Sequence, residues 1–191
     1  MLGTYTFKHI AKAIEILRNI GIDGIIIGST CLDFVVDRKS IEGDIDLFVT
    51  SLSLIMEEEK IYSVAEENSW AIGTTSLGTP SITMNIYGSD ITVDLYENVM
   101  DFYIPAEVID LCKRIQNIDG VEVAYTAIEC WMVLKARRGA DQDIAMLSTI
   151  KELYDRNEIN LDLNLVKKII EIYEEDSKYI YNRLRGLGFK I

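Results

Sequence analysis

Gly43-Asp44-Ile45-Asp46-Leu47-Phe48-Val49 is the stretch on which the reading of this chain turns. Its apolar and β-branched residues, opened by a glycine, predict a strand. Strand side chains alternate faces, so Asp44 and Asp46 point one way while Ile45, Leu47 and Val49 point the other. An unpaired charge in a strand that otherwise reads as core costs several kcal/mol. Ile91-Thr92-Val93-Asp94-Leu95-Tyr96 repeats the pattern: Ile91, Val93 and Leu95 take one face, and Thr92, Asp94 and Tyr96 the other. If the two strands are neighbours, three carboxylates converge on one patch. Such a patch repels itself unless divalent cations sit in it, and oxygen-only donors suit Mg²⁺ or Mn²⁺. Two such ions roughly 3.5–4 Å apart clamp the attacking and leaving oxygens of a phosphoryl displacement.

Upstream, Gly28-Ser29 ends the apolar run Ile25-Ile26-Ile27, where a strand hands over to a helix. Glycine lets a ligand approach the backbone, and a helix start offers free N–H groups to phosphate. Taken alone, the pair reads as a turn with a serine cap. The acids downstream favour the phosphate reading. Residues Thr30 to Gly43 separate the two motifs.

A Gly-Ser at a strand end, Asp-x-Asp on the next strand and a lone Asp on a later one resemble the nucleotidyltransferase superfamily of polymerase β type. Its small members include lincosamide and aminoglycoside nucleotidyltransferases and the toxin-type enzymes of abortive-infection systems. The resemblance spans roughly residues 24–147. It implies that Gly28 and Ser29 hold an NTP, and that Asp44, Asp46 and Asp94 bind metal. Asp94 would also take the proton from an acceptor hydroxyl. The reaction implied is transfer of an NMP with release of pyrophosphate. A second segment, Lys135-Ala136-Arg137-Arg138-Gly139-Ala140-Asp141-Gln142-Asp143, is similar to a motif of the abortive-infection relatives. There Lys135 would reach the phosphates. Gly139-Ala140 departs from that motif, which carries Lys-Asp at this point. The arginine that often precedes the Asp pair in antibiotic-modifying relatives is also missing: Glu42 and Gly43 stand there, and Arg38 and Lys39 are out of register. Without the resemblance, Lys135 and its neighbours read equally well as a basic helix end complementing its dipole.

The remaining chain fits an α/β fold: a mixed sheet with helices packed on one face, and a helical C-terminal part. Apolar spacing predicts helices over 6–20, 29–36, 54–67, 106–114, 126–138, 141–154, 162–174 and 176–186. Strands are predicted over 24–28, 44–50, 70–75, 81–87 and 90–96, with a hairpin over 115–125 around Asp119-Gly120. Thr126-Ala127-Ile128-Glu129 reads as a capping box. The expected division is an α/β domain, 1–125, and a helical subdomain, 126–191, sharing its core. His9 reads as a surface or half-buried helical residue, and Trp70 and Trp131 as anchors of the core or of an interface.

Composition narrows the function. The 191-residue chain carries a net charge of −12, which argues against DNA and against general nucleic-acid binding. Residues 1–100 hold 6 basic and 15 acidic side chains, and residues 101–191 hold 13 and 16. A small hydroxyl-bearing acceptor suits this balance. An RNA or protein acceptor, as for a toxin-type relative, would need the basic tail Lys167, Lys168, Lys178, Arg183, Arg185 and Lys190. A non-catalytic nucleotide-binding antitoxin or regulatory protein is the other alternative. No apolar run reaches the ~18 residues of a membrane span. No signal sequence is visible, and Cys31, Cys112 and Cys130 read as buried thiols, so a cytoplasmic protein is expected.

Overall fold

The computed structural model describes residues 4–191, so the first three residues of the expected α/β domain lie outside the described part. The chain forms two compact units. One runs to Tyr103 and adds Arg114–Tyr125; the other comprises Ile104–Lys113 and Thr126–Ile191.

In the first unit, α1 (Phe7–Asn19) leads to β1 (Gly24–Ile27), α2 (Thr30–Val35) and β2 (Ile45–Val49). Then come α3 (Glu58–Glu67), β3 (Ala71–Thr74), β4 (Pro80–Ile86), β5 (Ser89–Tyr96), and the pair β6 (Lys113–Ile118) and β7 (Val121–Thr126). The seven strands form one mixed sheet in the order β3-β4-β5-β2-β1-β7-β6. β2 pairs parallel with β5 and antiparallel with β1, while β7 joins β1 in parallel. The expected α/β fold with a mixed sheet is thus observed.

Period-two alternation decides which side chains enter the core. Ile26, Ile45, Leu47, Val93, Leu95, Ile82 and Met84 are buried in one cluster with Ile10, Ile14 and Leu17 of α1 and Ile61 of α3. α1 presents these residues because they recur every three to four positions. His9 is part of the helix start: its Nδ1 accepts the Thr6 N–H at 3.2 Å. The bridge between Tyr5 and Ile41, closed by N–H···O bonds of 3.0 and 2.8 Å, ties the segment before α1 to the loop that enters β2. Gly43, at φ +91°, makes the last turn before Asp44.

The second unit holds α4 (Ala106–Cys112), α5 (Ile128–Arg138), α6 (Asp141–Asp155), α7 (Leu163–Ile172), a short 3₁₀ turn and α8 (Ser177–Gly186). α4 belongs here because the Ala127 N–H bonds the Cys112 carbonyl at 2.8 Å and α4 packs on α5 and α7. Thr126 is not the N-cap of α5, as the expected capping box requires: Ala127 holds that position. Thr126 closes β7, α5 begins at Ile128, and buried Glu129 instead accepts the Asp162 N–H at 2.8 Å. The helix expected from Leu54 begins only at Glu58. Buried Leu54 sits in the turn ahead of it.

The end of α5 shows why Gly139 is needed. The residue is left-handed, at φ +66°, and a Cβ there would overlap the Arg183 guanidinium. Arg183 donates to the carbonyls of Ala136 and Arg137, and the Tyr179 hydroxyl donates to Arg137 at 3.2 Å. These bonds satisfy carbonyls that a helix end leaves without partners.

Candidate active site

Strand register brings the predicted acids together. Asp46 and Asp94 are direct partners across the parallel β2–β5 pair, and Ser81 of β4 stands opposite Asp94. On the other side Ile27 is the partner of Asp46. A row Ile27–Asp46–Asp94–Ser81 therefore crosses the sheet on the face opposite the α1 core. Asp44 lies just before β2 and shares that face by alternation. All three acids are partly exposed.

Their electrostatics show the repulsion the sequence implies. Partial burial, then the charge of Asp94, pushes the Asp44 carboxyl above its ordinary range. Among the described residues no lysine or arginine pairs with Asp44 or Asp94. The two basic residues before the Asp pair are engaged elsewhere: Arg38 is held by Asp33 at 2.5 Å, and Lys39 pairs with Asp37. Two tyrosines face the acids. Tyr5 is buried, and its phenol is pushed up by burial and by Asp33, Asp44 and Asp46. The Tyr96 hydroxyl donates to Asp94 at 3.4 Å, and burial together with the charges of Asp46 and Asp94 pushes its phenol up. Tyr96 belongs to the same alternation as Asp94, so its face was legible in the sequence, but its contact with Asp94 was not.

Gly28 lies beneath Asp46. At φ +80° it adopts a backbone that favours glycine, and an added Cβ would overlap the Asp46 carboxylate. Ser29 precedes α2, is exposed and makes no side-chain capping bond. Its hydroxyl is therefore not serving as the cap that this position usually supplies.

Lys135 lies in the helical unit. Its ammonium is 3.1 Å from Asp143 and 5.6 Å from the centre of the Trp131 ring. Arg138 grips the same carboxylate with two bonds of 2.6 Å. Burial raises the Asp143 carboxyl, but hydrogen bonds from Arg138 and Lys135 outweigh it and hold the group below its ordinary value. Within its own unit, then, Lys135 has a structural partner. Of the basic tail, Arg183 caps α5, and Arg185 donates to the Ile191 carbonyl at 2.8 Å. This occupies two of the six cations that an RNA acceptor would need.

The donors Asp44, Asp46 and Asp94 are all oxygen, which fits a hard divalent cation. Among the described residues no three acidic, histidine or cysteine side chains form a ready-made cation cage.

The mixed sheet and its acid row define a nucleotidyltransferase-type fold. The chain belongs to the family described as nucleotidyl transferase of unknown function (DUF2204), whose model matches residues 6–186. Its fold is similar to the crystal structure of an antigenic nucleotidyltransferase-like protein from Paracoccidioides brasiliensis. That match has 12% identity and a TM-score of 0.55, over 97% of this chain and 89% of that one. Weaker likenesses are to the solution structure of the antibiotic-resistance factor ANT(2'')-Ia (13% identity, TM-score 0.41, 94% of this chain and 86% of that one) and to its crystal structure with adenylyl-2"-tobramycin (13%, 0.37, 95% and 92%). Neither carries weight here. No protein of curated function matches the sequence. Among the described residues no helix is long and apolar enough to cross a membrane.

Proposed function

We propose that the protein is a metal-dependent enzyme that moves an NMP from an NTP to the hydroxyl of a small acceptor, releasing pyrophosphate. The observation that carries this reading is the register pairing of Asp46 with Asp94, with the bare Cα of Gly28 beneath Asp46. Asp44, Asp46 and Asp94 would hold Mg²⁺ or Mn²⁺. When bound, the ion supplies Lewis-acid polarisation of the phosphoryl group and offsets its charge.

The residues of the chain do the rest. Gly28 leaves the backbone open beside Asp46, and the uncapped Ser29 hydroxyl is available to a phosphate oxygen. Asp94 lies on a different strand from the Asp pair, with hydroxyl-bearing Ser81 as its outer neighbour. It can therefore face the acceptor and take its proton. The absence of a paired lysine or arginine at Asp44 and Asp94 fits a neutral or cationic acceptor better than a polyanion.

The test is mass spectrometry of a metabolite extract and an RNA extract, each incubated with protein, Mg²⁺ and mixed NTPs. A small molecule gaining the mass of one NMP, with pyrophosphate released, supports the reading. Labelled RNA with no labelled metabolite would move the acceptor to RNA. No turnover of any NTP would favour a nucleotide-binding role without catalysis.

A further inference from the structure

We infer that Tyr96 is a positioning residue for the acid row: its hydroxyl, which donates to Asp94, sets the orientation of the carboxylate that stands opposite Asp46 across the β2–β5 pair. The inference deepens the proposed function and rests on its metal reading.

Register leaves the two acids little freedom. Partners on adjacent strands have backbones only about 4.8 Å apart, so two like charges on one face repel along the hydrogen-bonding direction. The Tyr96 phenol places a neutral donor at one of them, Asp94. Tyr96 lies two residues beyond Asp94 on the same strand face. Its hydroxyl donates to Asp94 at 3.4 Å.

The ring is held from behind. Its centre is 5.5 Å from that of Phe102, which in turn lies 6.3 Å from Phe48, the partner of Tyr96 in the parallel register. A position that needed only an apolar plug would be served by phenylalanine, as at Phe48 and Phe102. Here a hydroxyl is added within reach of the Asp94 carboxylate. Partners that orient metal-binding carboxylates in this way are typically worth 10–100-fold in metal affinity.

The experiment compares Mn²⁺ binding by calorimetry, in the presence of a non-hydrolysable ATP analogue, for wild type, Tyr96→Phe and Tyr62→Phe. The Tyr62 hydroxyl also bonds a carboxylate, Glu58 at 2.9 Å, but on an exposed helix surface. Tyr96→Phe should bind Mn²⁺ about 10–100-fold more weakly while its metal-free Tm stays near wild type. Tyr62→Phe should bind as wild type does. Phe102→Leu, which keeps the hydroxyl but loosens the ring, should show a smaller loss and serves if Tyr96→Phe folds poorly. Wild-type affinity in both Tyr96→Phe and Phe102→Leu overturns the positioning role and leaves the metal reading standing. Wild-type protein that takes up no Mn²⁺ overturns the metal reading, and the role of Tyr96 with it.

Discussion

The carboxylate of Asp46 rests against the bare Cα of Gly28, so a residue before α2 and a residue on β2 form one steric unit. Gly28→Ala should displace Asp46 and also strain the backbone at φ +80°. Gly88→Ala isolates the second effect. Gly88 has φ +85° with nothing near an added Cβ, so it should lose only the ~1–2 kcal/mol of a left-handed L-residue. Gly28→Ala should lower the Tm further and abolish the Tm shift produced by Mg²⁺ and NTP. Equal losses in the two variants, with the ligand shift intact in both, would count against the contact.

The three acids should separate by role. Asp44→Asn and Asp46→Asn should remove most of the Tm gain from Mg²⁺ with NTP, because a ligand stabilises only through the state it binds. Asp94→Asn should keep much of that gain yet transfer nucleotide about 10²-fold more slowly or worse, the scale of a lost general base. Near wild-type turnover in Asp94→Asn would make the third acid structural.

Asp44 gives a pH prediction of unusual sign. Burial and Asp94 raise its pKa in the folded state. The native protein then holds the proton more tightly than the unfolded chain, so stability falls as pH rises from the ordinary carboxylate range through the raised native value. At neutral pH and without metal, Asp44→Asn should therefore be more stable than wild type. The gain should vanish below the carboxylate range. Urea titrations at pH 7 and pH 3.5 check both halves.

Asp143 carries the opposite sign. Its lowered pKa contributes stability that is present above the unfolded carboxylate value and lost as pH falls through the folded one. Asp143→Ala leaves Lys135 and Arg138 without their shared counter-ion. Breaking a fully buried pair costs about 3–5 kcal/mol. Arg138 is 56% exposed, so a loss below that range is expected in denaturant unfolding. If the variant is as stable as wild type, the ion cluster contributes nothing to the helical unit.

The faces of Asp44, Asp46, Asp94 and Tyr96 were legible because strand alternation is local: two residues suffice to assign a side. What joins those faces is not local. That Asp46 would stand opposite Asp94, and over Gly28, depends on β2 lying between β5 and β1, which no short window encodes. Thr126-x-x-Glu129 matched a capping pattern, yet Glu129 is used by an N–H from Asp162, far along the chain. Arg183 looked like surface charge because the carbonyls it satisfies belong to α5, more than forty residues earlier. Ser29 looked like a cap, but the pattern could not show that its hydroxyl leaves the helix start unbonded.

The path of the chain between its two units limits how the protein can be taken apart. The polypeptide leaves the sheet after Tyr103, forms α4, returns for β6 and β7, and leaves again at Thr126. One cut at residue 125 would therefore not release an independent sheet domain. It would strand α4, with Val108, Ile109 and Cys112 stripped of the helices that bury them, on a fragment with an exposed apolar face. Interleaving of this kind makes the helical unit hard to lose or exchange by simple truncation or fusion. Changes in what the protein acts on are then expected to come from substitutions and loop insertions, not from swapping one half.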